Sequence, residues 1–152
     1  MRRQRVRYLL DTNVLSELVR PTPNATVVVW INRQRALDLA LSVLTIGELE
    51  RGIALLEDGR RRRTLIEWVR EALPRQFLGR VLDIDATTAA TWGALSARAS
   101  KSGRTLPVVD GLLLSTALRH ELSVVTRNVS DFEAWGVPVL NPWNLDEGAP
   151  WP

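Results

Sequence analysis

Apolar residues along the chain gather into short blocks, and the stretches between the blocks carry helical spacing. Val6–Leu10, Leu37–Val43, Arg80–Ile84, Ser123–Val125 and Val137–Leu140 are short, apolar and β-branched, and read as strands. Asp11-Thr12-Asn13 supplies capping chemistry for a helix over Val14–Val19, which Pro21 and Pro23 end. A second helix from about Asn24 to Arg35 puts Val27, Val28 and Ile31 on one face. Thr45 opens a third, with Ile46, Leu49, Ile53 and Leu56 at helical spacing. Asp58-Gly59 makes a turn, and Arg60–Leu73 reads as a fourth helix stopped by Pro74. Asp85 caps a helix through about Ala99, and the polar loop Ser100–Thr105 follows it. Pro107 suits the first turn of a helix running to about His120.

Strands therefore alternate with helices. The pattern predicts an α/β fold, a five-stranded parallel sheet flanked by helices on both faces. The 152 residues suit one domain spanning 1–152, with a core over about 6–143 and a loose tail over 144–152. No internal repeat and no linker interrupts it.

Composition removes several chemistries. With no cysteine, disulfides, thiolate zinc sites and cysteine nucleophiles are excluded. With one histidine, His120, a two-histidine acid/base mechanism is excluded as well. Net charge is only +3, but the basic residues are almost all arginine, Lys101 being the sole lysine. Such a balance is compatible with a surface that guides a phosphate backbone. Arg7 and Asp11 interrupt the first apolar stretch, so it does not read as a signal-peptide core, and no apolar run approaches a membrane span. A cytoplasmic protein with no membrane partner is expected.

In an open parallel sheet, ligands bind beyond the carboxyl ends of the strands. Four acids stand at or near those ends. Asp11 follows the first strand, Glu48 lies in the first turn after the second, Asp110 near the start of the helix leading to the fourth, and Asp131 in the loop after the fourth. Carboxylates that converge raise each other's pKa, and a divalent cation removes the conflict. Hard oxygen ligands suit Mg²⁺ or Mn²⁺, which also bind phosphate oxygens and acidify water. The implied chemistry is hydrolysis of a phosphodiester by metal-activated water.

Each acid also has a structural explanation. Asp11 caps a helix, Thr45-Ile46-Gly47-Glu48 matches a capping box, Asp110 favours a helix dipole and Asp131 suits a turn. Taken alone, the capping box is the better reading of Glu48. The functional reading rests on the coincidence of all four. Gly52, one turn beyond Glu48, suggests either close approach of a ligand or tight helix packing.

Leu9-Leu10-Asp11-Thr12-Asn13-Val14-Leu15, Thr45-Ile46-Gly47-Glu48-Leu49 with Gly52, Val109-Asp110-Gly111 through Ala117, and Val125-Thr126-Arg127-Asn128 with Asp131-Phe132 occur in that order. Together with Asn141-Pro142-Trp143, they make the chain resemble the PIN-domain ribonucleases, especially the VapC/FitB-type toxins of toxin–antitoxin pairs. The likeness runs from about Tyr8 to Trp143. It implies a PIN-like three-layer fold, and Mg²⁺ or Mn²⁺ held by Asp11, Glu48, Asp110 and Asp131. It also implies supporting roles for Thr12, Thr126 and Asn128, the last two positioning water or carboxylates. The resemblance further implies endonucleolytic cleavage of RNA, a homodimer, and an antitoxin that fills the acidic crevice and binds operator DNA. Gly111 and Ser115 depart from the alanines more usual around the third acid.

Two other readings compete. Val81-Leu82-Asp83-Ile84-Asp85-Ala86-Thr87 resembles the strand-end motif of haloacid-dehalogenase-like phosphatases, with Asp83 as nucleophile, Asp85 as acid/base and Lys101 completing the site. The non-enzymatic rival is a PIN-like module that binds RNA or protein and whose acids serve only as caps. Arg60-Arg61-Arg62-Arg63 is better read as a solvated helix face than as an RNA grip. Trp68 and Trp92 read as core or interface anchors, whereas Trp143 and Trp151 stay open to base stacking.

Overall fold

A computed structural model describes residues 5–145. The residues numbered 146–152, which include most of the expected tail and Trp151, lie outside the described residues. The elements are β1 (Tyr8–Leu10), α1 (Thr12–Leu18), α2 (Ala25–Arg33), a 3₁₀ turn (Ala36–Asp38), β2 (Leu39–Ser42), α3 (Val43–Ala54), α4 (Arg60–Glu67), a π-helical turn (Trp68–Ala72) and α5 (Leu73–Gln76). There follow β3 (Val81–Leu82), α6 (Ala86–Lys101), α7 (Val108–His120), β4 (Ser123–Val125), α8 (Val129–Phe132), a second 3₁₀ turn (Glu133–Trp135) and β5 (Val139–Leu140).

The five strands form one sheet in the order β3-β2-β1-β4-β5, parallel throughout. The predicted sheet is thus the observed one, with β4 as expected and the other four strands shorter. Successive strand residues face opposite ways. Tyr8 and Leu10 of β1, with Leu39 and Leu41 of β2, join one core, against Val14, Val27 and Trp30 of α1 and α2. Leu9, between Tyr8 and Leu10, joins the other, against Leu95 of α6 and Leu113, Leu114 and Ala117 of α7. Val124 and Val125 of β4 divide in the same way. Two apolar cores with the sheet between them are the three layers.

Three local expectations are corrected. The helix after β2 begins at Val43, not Thr45, because the Ser42 side chain accepts from the Leu44 amide at 3.1 Å and caps it. Thr45 is therefore buried inside the first turn, and the capping box with Glu48 does not form. The helix from Arg60 does not stop at Pro74. It widens into the π turn, where the Leu73 amide reaches the Trp68 carbonyl, and runs on to Gln76 with Pro74 in the first turn of α5. A wider turn tolerates the missing proline donor, which a regular α-turn does not. Finally, a Cβ on Gly52 would meet nothing within 4 Å, so packing within this chain does not require glycine there.

Gly111 is different. A Cβ there would stand 2.9 Å from Cδ1 and 3.0 Å from Nε1 of Trp92. The indole of α6 thus lies against the backbone of α7 one residue after Asp110, and its Nε1 is buried without a partner. Ser115 turns its hydroxyl back to the Gly111 carbonyl at 2.7 Å and so adds no unpaired polar group to the core.

Candidate active site

β1 is the central strand, and the chain leaves it on one side toward β2 and returns on the other as β4. The crevice beyond the carboxyl ends of β1 and β4 is the switch point at which ligands bind in open parallel sheets. Asp11 and Thr126 are the residues that follow these two strands.

Asp11 is the N-cap of α1. Its Oδ1 accepts from the Thr12 amide at 2.8 Å. Its Oδ2 accepts from the Thr126 hydroxyl at 2.8 Å and from Asn13 Nδ2 at 3.4 Å. The Thr126 hydroxyl in turn accepts from the Asn128 amide at 3.0 Å and from Asn13 Nδ2 at 3.2 Å. One donor and two acceptors are the full capacity of a hydroxyl, so this fully buried Thr126 is saturated. Asn128 acts here through its backbone. Its neighbour Arg127 has its amide held by Asn13 Oδ1 at 3.3 Å.

Glu48, exposed on α3, takes a hydrogen bond from the Thr12 hydroxyl at 2.8 Å. That contact joins α1 to α3 in place of the capping box. Asp110 sits partly buried in the first turn of α7. Asp11, Glu48 and Asp110 all line one cleft of about 470 Å³ with Asn128, Arg127 and Trp143. Asp131 lies in α8, not in a loop, and lines the adjoining cleft of about 320 Å³.

The electrostatics follow from this grouping. Burial pushes the Asp11 carboxyl above the ordinary aspartate range, against the lowering effect of the Thr126 and Thr12 hydrogen bonds, and the charge of Asp131 adds to the rise. Burial likewise raises Asp110, and Asp11, Asp131 and Glu48 each push it further. The other three acids are thus close enough to oppose Asp110's ionisation, although Asp131 faces the second cleft. Among the described residues, no group of three or more acids and histidines is already drawn close enough to hold a metal ion. The fit to a divalent cation is therefore one of donor chemistry and charge: hard oxygens, and negative charges that disfavour one another.

The sequence reading missed a stripe on α1. Asn13, Ser16 and Glu17, with Arg20 two residues beyond the helix end, also line the larger cleft, at the spacing of one helix face. That spacing was the available signal. Glu17 is buried and structurally occupied, accepting from the Asn24 amide at 2.8 Å and from Arg20 at 3.1 Å. The Asn24 amide, more than any other neighbour, holds its carboxyl below the usual glutamate range. Trp143, left open by the sequence, lines this cleft with Arg127 over its ring at 5.3 Å. None of Arg60 to Arg63 lines it; Arg61 donates to the Val19 carbonyl at 2.7 Å and Arg62 pairs with Asp58.

Asp85 is accounted for elsewhere. It is the N-cap of α6, accepting at 2.9 Å from both the amide and the hydroxyl of Thr88, and it pairs with Arg119 at 2.6 Å. Asp83 follows β3, the edge strand, and Lys101 ends the 16-residue α6. A helix of that length holds Lys101 about 24 Å from Asp85. The phosphatase constellation is not assembled.

The PIN domain family profile matches residues 8–134. Toxin FitB of Neisseria gonorrhoeae is 39% identical over 136 residues, covering 90% of this chain and 98% of that protein. VapC ribonuclease Y4jK of Sinorhizobium fredii is 37% identical over 135 residues, covering 89% and 96%. A solved structure of FitAB bound to the IR36 DNA fragment superposes with a TM-score of 0.86 at 37% identity, covering 93% of this chain and 99% of that one.

Proposed function

The chain belongs to the PIN-domain family, and on that basis we propose that it is a divalent-metal-dependent endoribonuclease acting as the toxin of a toxin–antitoxin pair. The observation that carries the proposal is the shared cleft of Asp11, Glu48 and Asp110 at the carboxyl end of β1. The name of the Sinorhizobium relative, a VapC ribonuclease, supports the choice of RNA as substrate.

In this reading Asp11, Glu48 and Asp110 hold Mg²⁺ or Mn²⁺, and Asp131 contributes through its charge on Asp11 and Asp110. When bound, the ion would polarise a phosphodiester oxygen and make water a competent nucleophile near neutral pH. The residues of the chain have their own tasks. Thr126 fixes the orientation of Asp11 and stabilises its charged form, Thr12 aims Glu48 into the cleft, and Asn13 ties α1 to the segment after β4. With a single histidine, cleavage by the ribose 2′-hydroxyl through a pair of imidazoles has no machinery here.

The name Toxin FitB, and the FitAB structure on DNA, support a partner antitoxin that binds DNA, and we propose that this partner covers the acidic cleft and that the DNA is its operator. We place a homodimer of this chain in that complex. Among the described residues no helix is long and apolar enough to cross a membrane.

The test is cleavage of single-stranded RNA by the purified protein with Mn²⁺, with Mg²⁺ and with chelator, followed by mapping of the ends. Cleavage only with added metal is expected. Equal cleavage in chelator, or 2′,3′-cyclic phosphate ends, would contradict water attack assisted by a metal. No cleavage with either ion would leave a PIN-like binding module.

A further inference from the structure

Two arginine–tryptophan pairs flank the carboxylates. Arg127 lies over the Trp143 ring at 5.3 Å, and both line the cleft of Asp11, Glu48 and Asp110. Arg104 lies over the Trp135 ring at 5.6 Å, and both line the adjoining cleft that contains Asp131. The clefts adjoin along α7 and α8. Pro107 lines one and Asp110, a helical turn later, the other; Asn128 and Asp131 repeat the relation three residues apart. Each cleft therefore sets its carboxylates beside a guanidinium group that rests on an indole.

These arginines differ from most others in the chain. Arg20, Arg35, Arg62, Arg70, Arg75 and Arg119 each form a salt bridge, and Arg80 donates to three backbone carbonyls. Among the described residues, neither Arg104 nor Arg127 has a carboxylate within ion-pair distance, although both stand beside an acidic group. An indole attracts the cation without neutralising it, and limits its freedom. Trp135 is buried and Trp143 packs partly buried against the first core, so neither indole can swing away easily. The Trp143 amide is itself held by Asn141 Oδ1 at 2.9 Å. A planar cation, unpaired and held in place, is suited to a phosphate oxygen.

We propose that Arg127 and Arg104 take RNA phosphates on opposite sides of the carboxylate group, so that the strand crosses from one cleft to the other above Asp110 and Asp131. This rests on the ribonuclease reading given above. Trp143 and Trp135 are positioning residues. They hold the guanidinium groups and do not contact the reacting atoms. The physical gain is charge balance: a polyanion approaching a cluster of acids meets a fixed cation on either flank.

The experiment measures binding of a fluorescent single-stranded RNA oligonucleotide in chelator, across a salt series. Each phosphate contact contributes about 0.7 to the slope of log affinity against log salt for single strands. Arg127→Ala and Arg104→Ala are each expected to flatten the slope by about that amount, and the double variant by about 1.4, since separate sites add. Each loses about fivefold in affinity at moderate salt, whereas Arg127→Lys and Arg104→Lys keep the slope. Trp143→Leu weakens binding about 2- to 30-fold, and Trp143→Phe, which keeps a ring under the cation, restores most of it. Unfolding temperatures of all variants are recorded alongside, and the lysine and phenylalanine variants separate loss of charge or ring from loss of fold.

Alanine variants that keep the wild-type slope overturn the proposal, and leave the ribonuclease reading standing if the wild type still cleaves. A wild type that binds RNA with slopes dependent on both arginines but does not cleave with Mn²⁺ supports the proposal and removes the nuclease reading. A wild type that does not bind RNA in chelator even at low salt overturns the proposal, and cleavage with Mn²⁺ then decides the ribonuclease reading separately.

Discussion

Replacing Thr126 by valine keeps the volume of a fully buried side chain and removes its hydroxyl. The hydroxyl makes three hydrogen bonds, to Asp11 Oδ2 at 2.8 Å, from the Asn128 amide at 3.0 Å and from Asn13 Nδ2 at 3.2 Å. Only the first has a carboxylate partner, and a hydrogen bond to a charged group is worth about 1.5–3 kcal/mol. Asn13 keeps its 3.4 Å contact to Oδ2, and exposed Asn128 is open to water, so those partners are only partly lost. The expected net loss is about 2–3 kcal/mol, which for a domain of this size lowers Tm by about 4–12 °C.

The pH dependence carries the sharper test. Burial holds the folded-state pKa of Asp11 above its ordinary value, so between the two values the native state binds more protons than the unfolded state. Stability then falls as pH rises through that window. The Thr126 hydroxyl opposes this by favouring the charged form, and its removal raises the folded pKa further. Thr126→Val should therefore lose little below the ordinary aspartate range and progressively more as pH rises to neutrality. Thr126→Ser should stay near wild type throughout. The assay is urea unfolding followed by tryptophan fluorescence, in chelator, over a pH series. A loss below about 0.5 kcal/mol at neutral pH, or one that does not change with pH, would refute this account of the Asp11–Thr126 pair.

Glu48→Gln should leave Tm within about 2 °C of wild type, since Glu48 is exposed and glutamine can still accept from Thr12, while abolishing Mn²⁺-dependent RNA cleavage; wild-type turnover would remove Glu48 from the catalytic set. For Asp110, burial and three neighbouring acids raise the folded pKa, so metal-free stability should fall as pH climbs above the ordinary aspartate value, and Asp110→Asn should give a shallower decline in the same urea series. Coincident profiles would contradict that assignment. Mn²⁺ at a hundred times its Kd should add about 2.7 kcal/mol to wild-type stability, read as a Tm rise by calorimetry, and the rise should shrink in Asp110→Asn. An equal rise in both would place the ion elsewhere. Gly111→Ala should cost about 1–3 kcal/mol in denaturant unfolding, because its Cβ would press on the Trp92 ring at 2.9 Å; unchanged stability would mean the indole moves freely.

The local pattern of the chain specified much of this molecule. Alternation of apolar side chains divides Tyr8, Leu9 and Leu10 between two cores, and that alternation is visible in any listing of the residues. Asp11 and Asp85 are legible as caps because a cap bonds to amides only a few residues away. The places where local reading failed are those with two local solutions. Ser42 and Thr45 can both cap a helix, and the end of β2 at Ser42 decides between them. Pro74 ends a regular helix, yet a π turn carries this one past it.

The sequence by itself therefore determined the layers, the strand ends and the positions where acids could meet. Tertiary structure alone decided which groups share a cleft. The Asp11–Thr126 bond spans 115 positions and the Thr12–Glu48 bond spans 36, and both depend on which strands become neighbours. Likewise, nothing local says that Asp131 turns to the second cleft, that Glu17 is occupied by the Asn24 amide, or that Arg127 rests on Trp143. Secondary structure follows from hydrogen bonds that close within a few residues. A site at a sheet's switch point is assembled from segments that are adjacent only once the strand order β2-β1-β4 has formed.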